Sequence, residues 1–573
     1  MNFIPRPEHP NPQFERKSWL NLNGEWFFEE DTGDSGIDRK FYERDDLSGK
    51  IIVPFCPESE LSGIGKKDFM RCVWYIKKFT VPASEKGKNV ILHFGAVDYD
   101  SYVYINGKKA CHHVGGYASF SVDITKYLND GENKITVCAR DDSRKSIARG
   151  KQSACFYSQG CDYTRTTGIW QTVWLEFVPK SYIKNVKFFP SIEQQSLVIE
   201  ATTIGKAKFT AIATYEGKEV GKVECELDEC TTSITMPLSE LHLWEVGNGR
   251  LYDLKLTYGD DEVSSYFGMR STKFAGNKYY LNNKETFLVT VLDQGFYKKG
   301  IYTAETEEEL VRDIDLSMDA GFNGARLHQK VFEKRFLYNC DKKGYMVFGE
   351  IGNWGLDYSD METLPAFVNE WMEVIERDFN HPSIIGWCPL NETWDFYNRH
   401  QNDDYIRVCY NITKSADKTR PCVGTSGNYQ VVSDIYDIHD YIQEKDKFEK
   451  IYLAKTVEEL CEEYDKTHES VSKYQKSLDY KDLPIYVSEY GGIQWDVEGV
   501  GGWGYGNGPK TEEEYFERYE YLTKALLESP HVCGLCYTQL YDVEQEVNGI
   551  YTYERKPKFD ISRIRKINQS RGK

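Results

Sequence analysis

From the N-terminus to about residue 270, apolar and polar positions alternate in short runs bounded by Gly, Asn, Asp and Pro. Ser101-Tyr-Val-Tyr-Ile-Asn106-Gly107 is one such run, closing on an Asn-Gly hairpin turn, and Thr172–Val178 is another. A period of two predicts antiparallel strands with one buried face, and such sheets stack into sandwiches. A break at Pro179-Lys180 and a fresh run over Tyr182–Phe189 divide this half. The reading is a jelly-roll β-sandwich over residues 1–178 and a smaller, immunoglobulin-like sandwich over 179–270. Beyond about 280 the rhythm becomes strand, loop, helix. Apolar runs fall at Phe287–Leu292, Phe322–Leu327, Tyr345–Phe348, Ile384–Leu390, Pro421–Gly424, Ile435–His439, Pro484–Val487 and Val532–Tyr537. Amphipathic stretches such as Thr306–Met318, Met361–Phe379, Val457–Tyr474 and Thr511–Leu527 lie between them. Eight units of this kind predict a (β/α)8 TIM barrel over residues 271–573, with an open doubly wound sheet as the competing arrangement.

The chain has 573 residues, room for about three or four domains. Lys and Arg number 71 against 90 Asp and Glu, a net charge of −19 that repels a phosphate backbone and argues against nucleic acid as a partner. No stretch approaches the roughly 18 apolar residues of a membrane span, and the first residues lack the pattern of a secretory signal. The 15 cysteines are odd in number and sit mostly alone in apolar runs, as Cys138 and Cys388 do. Buried, reduced thiols in a cytoplasmic protein are expected. Cys533-Gly-Leu-Cys536 has no second pair to complete a zinc or redox site, and His112-His113 lacks partners at metal spacing and reads as a surface loop. Neither a cofactor nor a metal is expected. The Gly-rich run Val500–Thr511 fails as a phosphate loop because Pro509 separates Gly508 from Lys510. It reads as a mobile loop over the pocket, with Trp503 and Tyr505 stacking on the substrate or its aglycone. An aromatic share of 14% supplies planar rings of the kind that stack on sugar faces.

In a TIM barrel the reacting groups sit at the C-terminal strand ends. Ile384–Leu390 runs into Asn391-Glu392, and Pro484–Ser488 runs into Glu489-Tyr490-Gly491. Two carboxyls facing each other about 5–5.5 Å apart are the signature of a retaining glycosidase. They cannot both ionise cheaply, so one is expected to keep a proton for the glycosidic oxygen while the other attacks the anomeric carbon. Asn391 is placed to hold the sugar 2-hydroxyl. The plainer alternative is that each Glu caps a loop or pairs with an Arg.

The opening Pro10–Trp26, the run Gly168-Ile-Trp-Gln-Thr-Val-Trp-Leu175 and the late segment Val543–Lys558 resemble glycoside hydrolase family 2 along the whole chain. The resemblance implies jelly roll, immunoglobulin-like sandwich and barrel, in that order. It implies Glu392 as general acid/base, Glu489 as nucleophile, Tyr441 beside the nucleophile and Arg326 holding the nucleophilic carboxylate. Tyr537 falls where relatives carry a tryptophan platform, and Trp354, after the third strand, is a candidate for stacking. Asp293, in Leu292-Asp293-Gln294-Gly295, is a candidate substrate-binding residue and stands where many members carry a His-Glu pair, so the magnesium site of some β-galactosidases has no ligand set here. His328 and Lys330 are candidates to offer positive charge to a uronic acid. The Asn-x-Lys clamp of typical β-glucuronidases aligns with Glu546-Val547-Asn548, which disfavours an ordinary glucuronidase. Family frequency points to exo-acting cleavage of β-D-galactosides. A β-uronide, an α-L-arabinopyranoside or a β-xyloside are alternatives, and a non-catalytic carbohydrate-binding protein is the alternative of another class. Association of copies through the sandwiches is open by family analogy.

Overall fold

The computed structural model describes residues 4–142, 145–393, 400–427, 430–468 and 478–572. The N-terminal half follows the two-residue rhythm. In Asn89–Phe94 and Tyr252–Tyr258 buried and more open positions alternate along the strand. A four-stranded and a six-stranded antiparallel sheet pack around Trp26, Tyr75, Val103, Val137 and Leu175 to form the first sandwich. A three-stranded and a four-stranded antiparallel sheet, from Tyr182–Ser191 to Asp261–Phe267, enclose Phe209, Ile199, Leu254 and Met269 in the second. Arg16 joins the two. Its guanidinium pairs with both oxygens of Asp261 at 2.8 and 2.9 Å and with Glu176 at 2.7 Å.

The C-terminal half loses the alternation because both strand faces are covered, which is how barrel strands read. Leu288–Asp293, Met346–Glu350 and Val532–Thr538 are buried throughout. Seven parallel strands run in the order Ile384–Cys388, Met346–Glu350, Gly324–Leu327, Leu288–Asp293, Val532–Thr538, Ile485–Gly491, Tyr436–Asp440. The eighth place is taken by the segment 421–426, which makes parallel bridges from Cys422 to Trp387 and from Ser426 to Asn391. On its other side, Ser426 Oγ lies 3.1 Å from Asp437 Oδ1. The arrangement is a barrel and not an open sheet. Helices Glu307–Asp319, Leu364–Asp378, Val457–Thr467 and Glu512–Glu528 occupy the predicted amphipathic stretches. Residues 469–474 of the third stretch lie outside the described residues.

Inside the barrel, Leu288, Met346, Ile385, Tyr486, Cys533 and Cys536 fill the lower lumen, with Tyr279 and Leu281 of a small antiparallel sheet closing it from below. Cys533 and Cys536 are therefore core side chains, and all fifteen cysteines are free thiols. His112 and His113 lie on strand Lys108–Val114 and not on a loop. His113 is buried against the barrel, 2.9 Å from Glu373. No helix among the described residues is long and apolar enough to cross a membrane.

Candidate active site

Strand alternation decides which side chains enter the barrel mouth. In Gly324–Leu327 and the residue after it, Ala325 and Leu327 pack outward while Arg326 and His328 turn inward. The strand Ile485–Gly491 breaks the rule. Val487 and Tyr490 both belong to the outer core, and the pairing register slips between them, with His439 opposite Glu489. A bulge of this kind re-aims a side chain, and here it turns Glu489 into the lumen. Glu392 follows the fourth strand at a backbone φ of 45°, sparsely populated for a residue with a Cβ and typical of constrained functional sites. Its N–H donates to Ser426 O at 2.8 Å, so the eighth barrel place fixes it.

Four groups surround the Glu489 carboxylate. Arg326 Nη1 donates to Oε1 at 3.1 Å, and the Tyr441 hydroxyl donates to Oε2 at 2.5 Å. His439 Nδ1 stands 3.4 Å from Oε2, and His328 Nδ1 stands 3.9 Å from Oε1. Burial alone would raise the acid's pKa, but the charges of His439 and Arg326 and the Tyr441 hydroxyl outweigh it and hold Glu489 at about 2. Arg326 also binds Glu350 Oε1 at 2.6 Å and Asn391 Oδ1 at 2.9 Å, so one guanidinium orients both strand ends. The Asn391 main chain is locked by Asn353, and its Nδ2 is buried with no hydrogen-bond partner. An orphan amide costs about 1–3 kcal/mol, and a sugar hydroxyl would satisfy it.

The sequence reading missed His439. Its Nδ1 lies 2.9 Å from Glu392 Oε1, and its Nε2 lies 2.8 Å from Ser426 Oγ. Burial opposes charge on the imidazole, but Glu489, Glu392 and Asp437 overcome it and raise its pKa above the ordinary 6.5. The two carboxyls therefore meet across a basic ring and do not face each other bare. One donor atom each from Glu392, His439 and Glu489 lie within 4.8 Å of one another, a spacing that a divalent cation could also bridge. The Arg326 guanidinium already supplies Glu489 with a full positive charge. Glu350, Asn353, Ser426 and Thr538, whose Oγ1 lies 3.2 Å from the Tyr441 hydroxyl, were missed as well.

Other expected site residues divide. Trp354 is at the mouth, its Nε1 donating to Asn391 O at 3.2 Å. Tyr505 stacks on Tyr441 at 3.5 Å and 4°, which stiffens the tyrosine that binds Glu489. Trp503 packs edge-on to Tyr505 and donates through Nε1 to Gly160 O of the jelly roll, tying the Gly-rich loop to that domain.

Three expectations are corrected. Tyr537 faces outward, because alternation in Val532–Thr538 sends Cys536 to the lumen and Tyr537 to the helix layer. There its hydroxyl lies 2.9 Å from Tyr515, so it forms no platform under a sugar. Lys330 donates to the carbonyls of Gly295 and Tyr302 inside a box of Trp170, Tyr297, Tyr302 and Phe332, where burial pushes its pKa down to about 7. Asp293 accepts from Gly295 N at 2.9 Å and from Tyr541 at 2.5 Å, which spends its carboxylate on holding the loop after the first strand. His328 does line the site, but burial drives its pKa well below 6.5 and leaves it neutral.

Residues 19–179 match the family model described as "Glycosyl hydrolases family 2, sugar binding domain", and residues 275–570 match "Glycosyl hydrolases family 2, TIM barrel domain". A Formosa agariphila relative is 29% identical over 355 residues, 58% of this chain and 41% of its own length. The β-galactosidase of Thermoanaerobacter pseudethanolicus is 27% identical, over 74% of this chain and 58% of that protein. The chain thus spans about half the length of these two curated relatives. The β-glucuronidase of Streptococcus agalactiae is 22% identical over 90% of this chain and 91% of its own. Among solved structures, an uncultured Clostridium sp. β-glucuronidase superposes with a TM-score of 0.78 at 22% identity, covering 97% of this chain and 98% of that one. The β-glucuronidase from Ruminococcus gnavus in complex with N1-substituted uronic isofagomine gives 0.79 at 18% identity, covering 99% and 100%. With its barrel model alone covering more than half of the residues, the chain belongs to glycosyl hydrolases family 2.

Proposed function

We propose that this family 2 glycoside hydrolase is an exo-acting, retaining enzyme working by double displacement. Glu489 attacks the anomeric carbon as the C1–O bond to the aglycone breaks, and Glu392 gives its proton to the departing oxygen. Water then attacks C1, yields a proton to Glu392, and the bond to Glu489 breaks. The observation that carries this reading is the clustering of Glu392, His439 and Glu489 oxygens and nitrogen within 4.8 Å, with Arg326 and Tyr441 on the nucleophile. That separation suits a nucleophile and is shorter than the roughly 6.5–9.5 Å that leaves room for an inverting enzyme's water. A carbohydrate-binding protein has no use for a carboxylate held at about 2 beside a second carboxyl.

For the sugar, relatives named β-galactosidase and β-glucuronidase support a β-galactoside and a β-uronide equally. The fifteen free thiols support a reducing, cytoplasmic location within the same proposal. The test is an NMR time course on nitrophenyl β-glycosides. The β-anomer is expected as first product, and the α-anomer as first product would overturn the reading.

A further inference from the structure

We propose that Lys151, carried by a jelly-roll loop into the barrel mouth, binds a carboxylate on the terminal sugar and makes the enzyme select uronides over neutral glycosides. The proposal rests on the glycosidase reading above and deepens it.

The lysine is held in place from both sides. Arg149 N and Gly150 N donate to Trp354 O at 3.0 and 3.1 Å, pinning the loop to the barrel. Gly150, at φ +61°, presses so closely that a Cβ there would lie 2.4 Å from Gln329 O. Lys151 O accepts from Tyr163 N at 2.7 Å. The next side chain, Gln152, is fixed to the jelly roll through Asp98 at 2.7 Å and Thr166 N at 2.8 Å. The Lys151 ammonium ends 4.5 Å from the centroid of Trp354, the ring that bonds Asn391.

Lys151 as a residue is only 6% exposed, yet among the described residues its ammonium has no carboxylate within 4 Å and no hydrogen-bond acceptor. A buried cation without a counter-ion is costly, and a face-on tryptophan offsets only about 0.5–2 kcal/mol. The fields of Cys161, Glu546, Glu489 and Glu392 keep the proton on despite burial. None of them is its partner. Glu546 already accepts from Tyr163 Oη at 2.5 Å and Asn548 Nδ2 at 3.0 Å, and Glu392 and Glu489 are held by His439, Arg326 and Tyr441. The site thus holds a charged ammonium on a largely buried side chain, with no carboxylate partner, near the proposed catalytic carboxyls. Without it, a uronate would meet the ionised Glu489 with no cation of its own and be repelled. Glu546-Val547-Asn548 provides no lysine, and Lys330 is spent on two carbonyls, so among the described residues Lys151 is a cation available to an acidic substrate.

The experiment measures kcat/KM for nitrophenyl β-D-glucuronide, β-D-galacturonide, β-D-glucoside and β-D-galactoside, which differ pairwise only at C6. The wild-type enzyme is expected to prefer the acid of at least one pair. In Lys151→Met the ratio of acid to neutral kcat/KM is expected to fall by about 10- to 100-fold, the worth of a charged hydrogen bond, mainly through KM, with partial recovery in Lys151→Arg. A measurement free of any variant is product inhibition of the wild type, where the free uronate should inhibit at lower concentration than the matching neutral sugar. A wild-type preference for the neutral member of both pairs, or an unchanged ratio in a folded Lys151→Met, overturns the proposal. Glu489→Ala separates the two levels. Full activity in that variant would instead remove the glycosidase reading itself.

Discussion

His439 places Nδ1 2.9 Å from Oε1 of Glu392, so the candidate acid/base leans on a basic ring and not directly on the second carboxyl. The same nitrogen is 3.4 Å from Glu489, and Nε2 is anchored by Ser426 with Asp437 3.7 Å away. A protonated imidazole between two carboxylates lets both approach one sugar carbon with less mutual repulsion. It also places a proton within hydrogen-bond distance of the group that must donate one.

Replacing His439 with Asn should lower kcat/KM by about 10²-fold, the lower range for losing a positioned acid–base partner. The pH dependence carries the sign. The pKa of His439 is raised above 6.5 in the fold, so its stabilisation is complete below 6.5 and is lost as pH rises through the raised value. The wild-type protein should lose melting temperature on that alkaline limb, and His439→Asn should lack this component. Superimposable alkaline limbs in thermal melts of the two proteins would contradict the assignment.

Arg326→Met leaves Glu350 and Glu489 buried without their shared cation, a change that typically costs about 3–5 kcal/mol. Glu489, held at about 2, gives stability that is present above 4.5 and lost as pH falls through about 2. Without Arg326 its pKa should rise, moving the acid limb of kcat/KM toward neutral pH. A fall in turnover with an unmoved acid limb would show that Arg326 acts on folding alone.

Glu392→Ala should hurt substrates in proportion to how much their leaving group needs a proton. Alkyl and phenyl glycosides should lose orders of magnitude in kcat/KM, whereas a dinitrophenyl glycoside should be nearly spared in its first step and accumulate a covalent intermediate. Uniform losses across leaving groups, measured by steady-state kinetics, would remove Glu392 from the acid role.

Tyr537→Phe tests a correction. Because the ring faces the helix layer and its hydroxyl meets Tyr515 at 2.9 Å, the expected effect is a stability loss of about 0.5–1.5 kcal/mol with KM unchanged. A raised KM in a protein of normal melting temperature would put the ring back under the sugar.

The barrel was legible because eight apolar runs separated by amphipathic stretches leave few other ways to cover both strand faces. Glu392 and Glu489 were legible as carboxylates ending apolar runs, and Arg326 through the resemblance to glycoside hydrolase family 2. Other features follow from contacts that no local pattern carries. Tyr537 could have been turned outward from Cys536 beside it, since adjacent strand residues point to opposite faces. Glu489 defies that same count, and only the bulge beside Ser488 explains it. Lys330 looked like a residue near a helix start, yet the aromatic box that takes its ammonium is assembled from Trp170 of the jelly roll and Tyr297, Tyr302 and Phe332 of the barrel. His439 stands in Asp437-Ile-His439-Asp-Tyr441, where the resemblance singles out only the tyrosine. Its side of the barrel was signalled by spacing, since Asp437, His439 and Tyr441 share one face. Lys151 gave no signal from its own domain alone, because Trp354 and the carboxyls of Glu392, Glu489 and Glu546 lie more than two hundred residues away in sequence.

The central claim, that Glu489 forms the covalent bond to the sugar, is tested most directly by trapping. The enzyme is incubated with an activated 2-deoxy-2-fluoro-β-glycoside of a glycon it turns over, then digested and mapped by mass spectrometry. The account predicts one sugar added per chain, on the peptide containing Glu489, with return of activity as the label hydrolyses. A label on Glu392 or elsewhere, or inactivation without any covalent sugar, would contradict it.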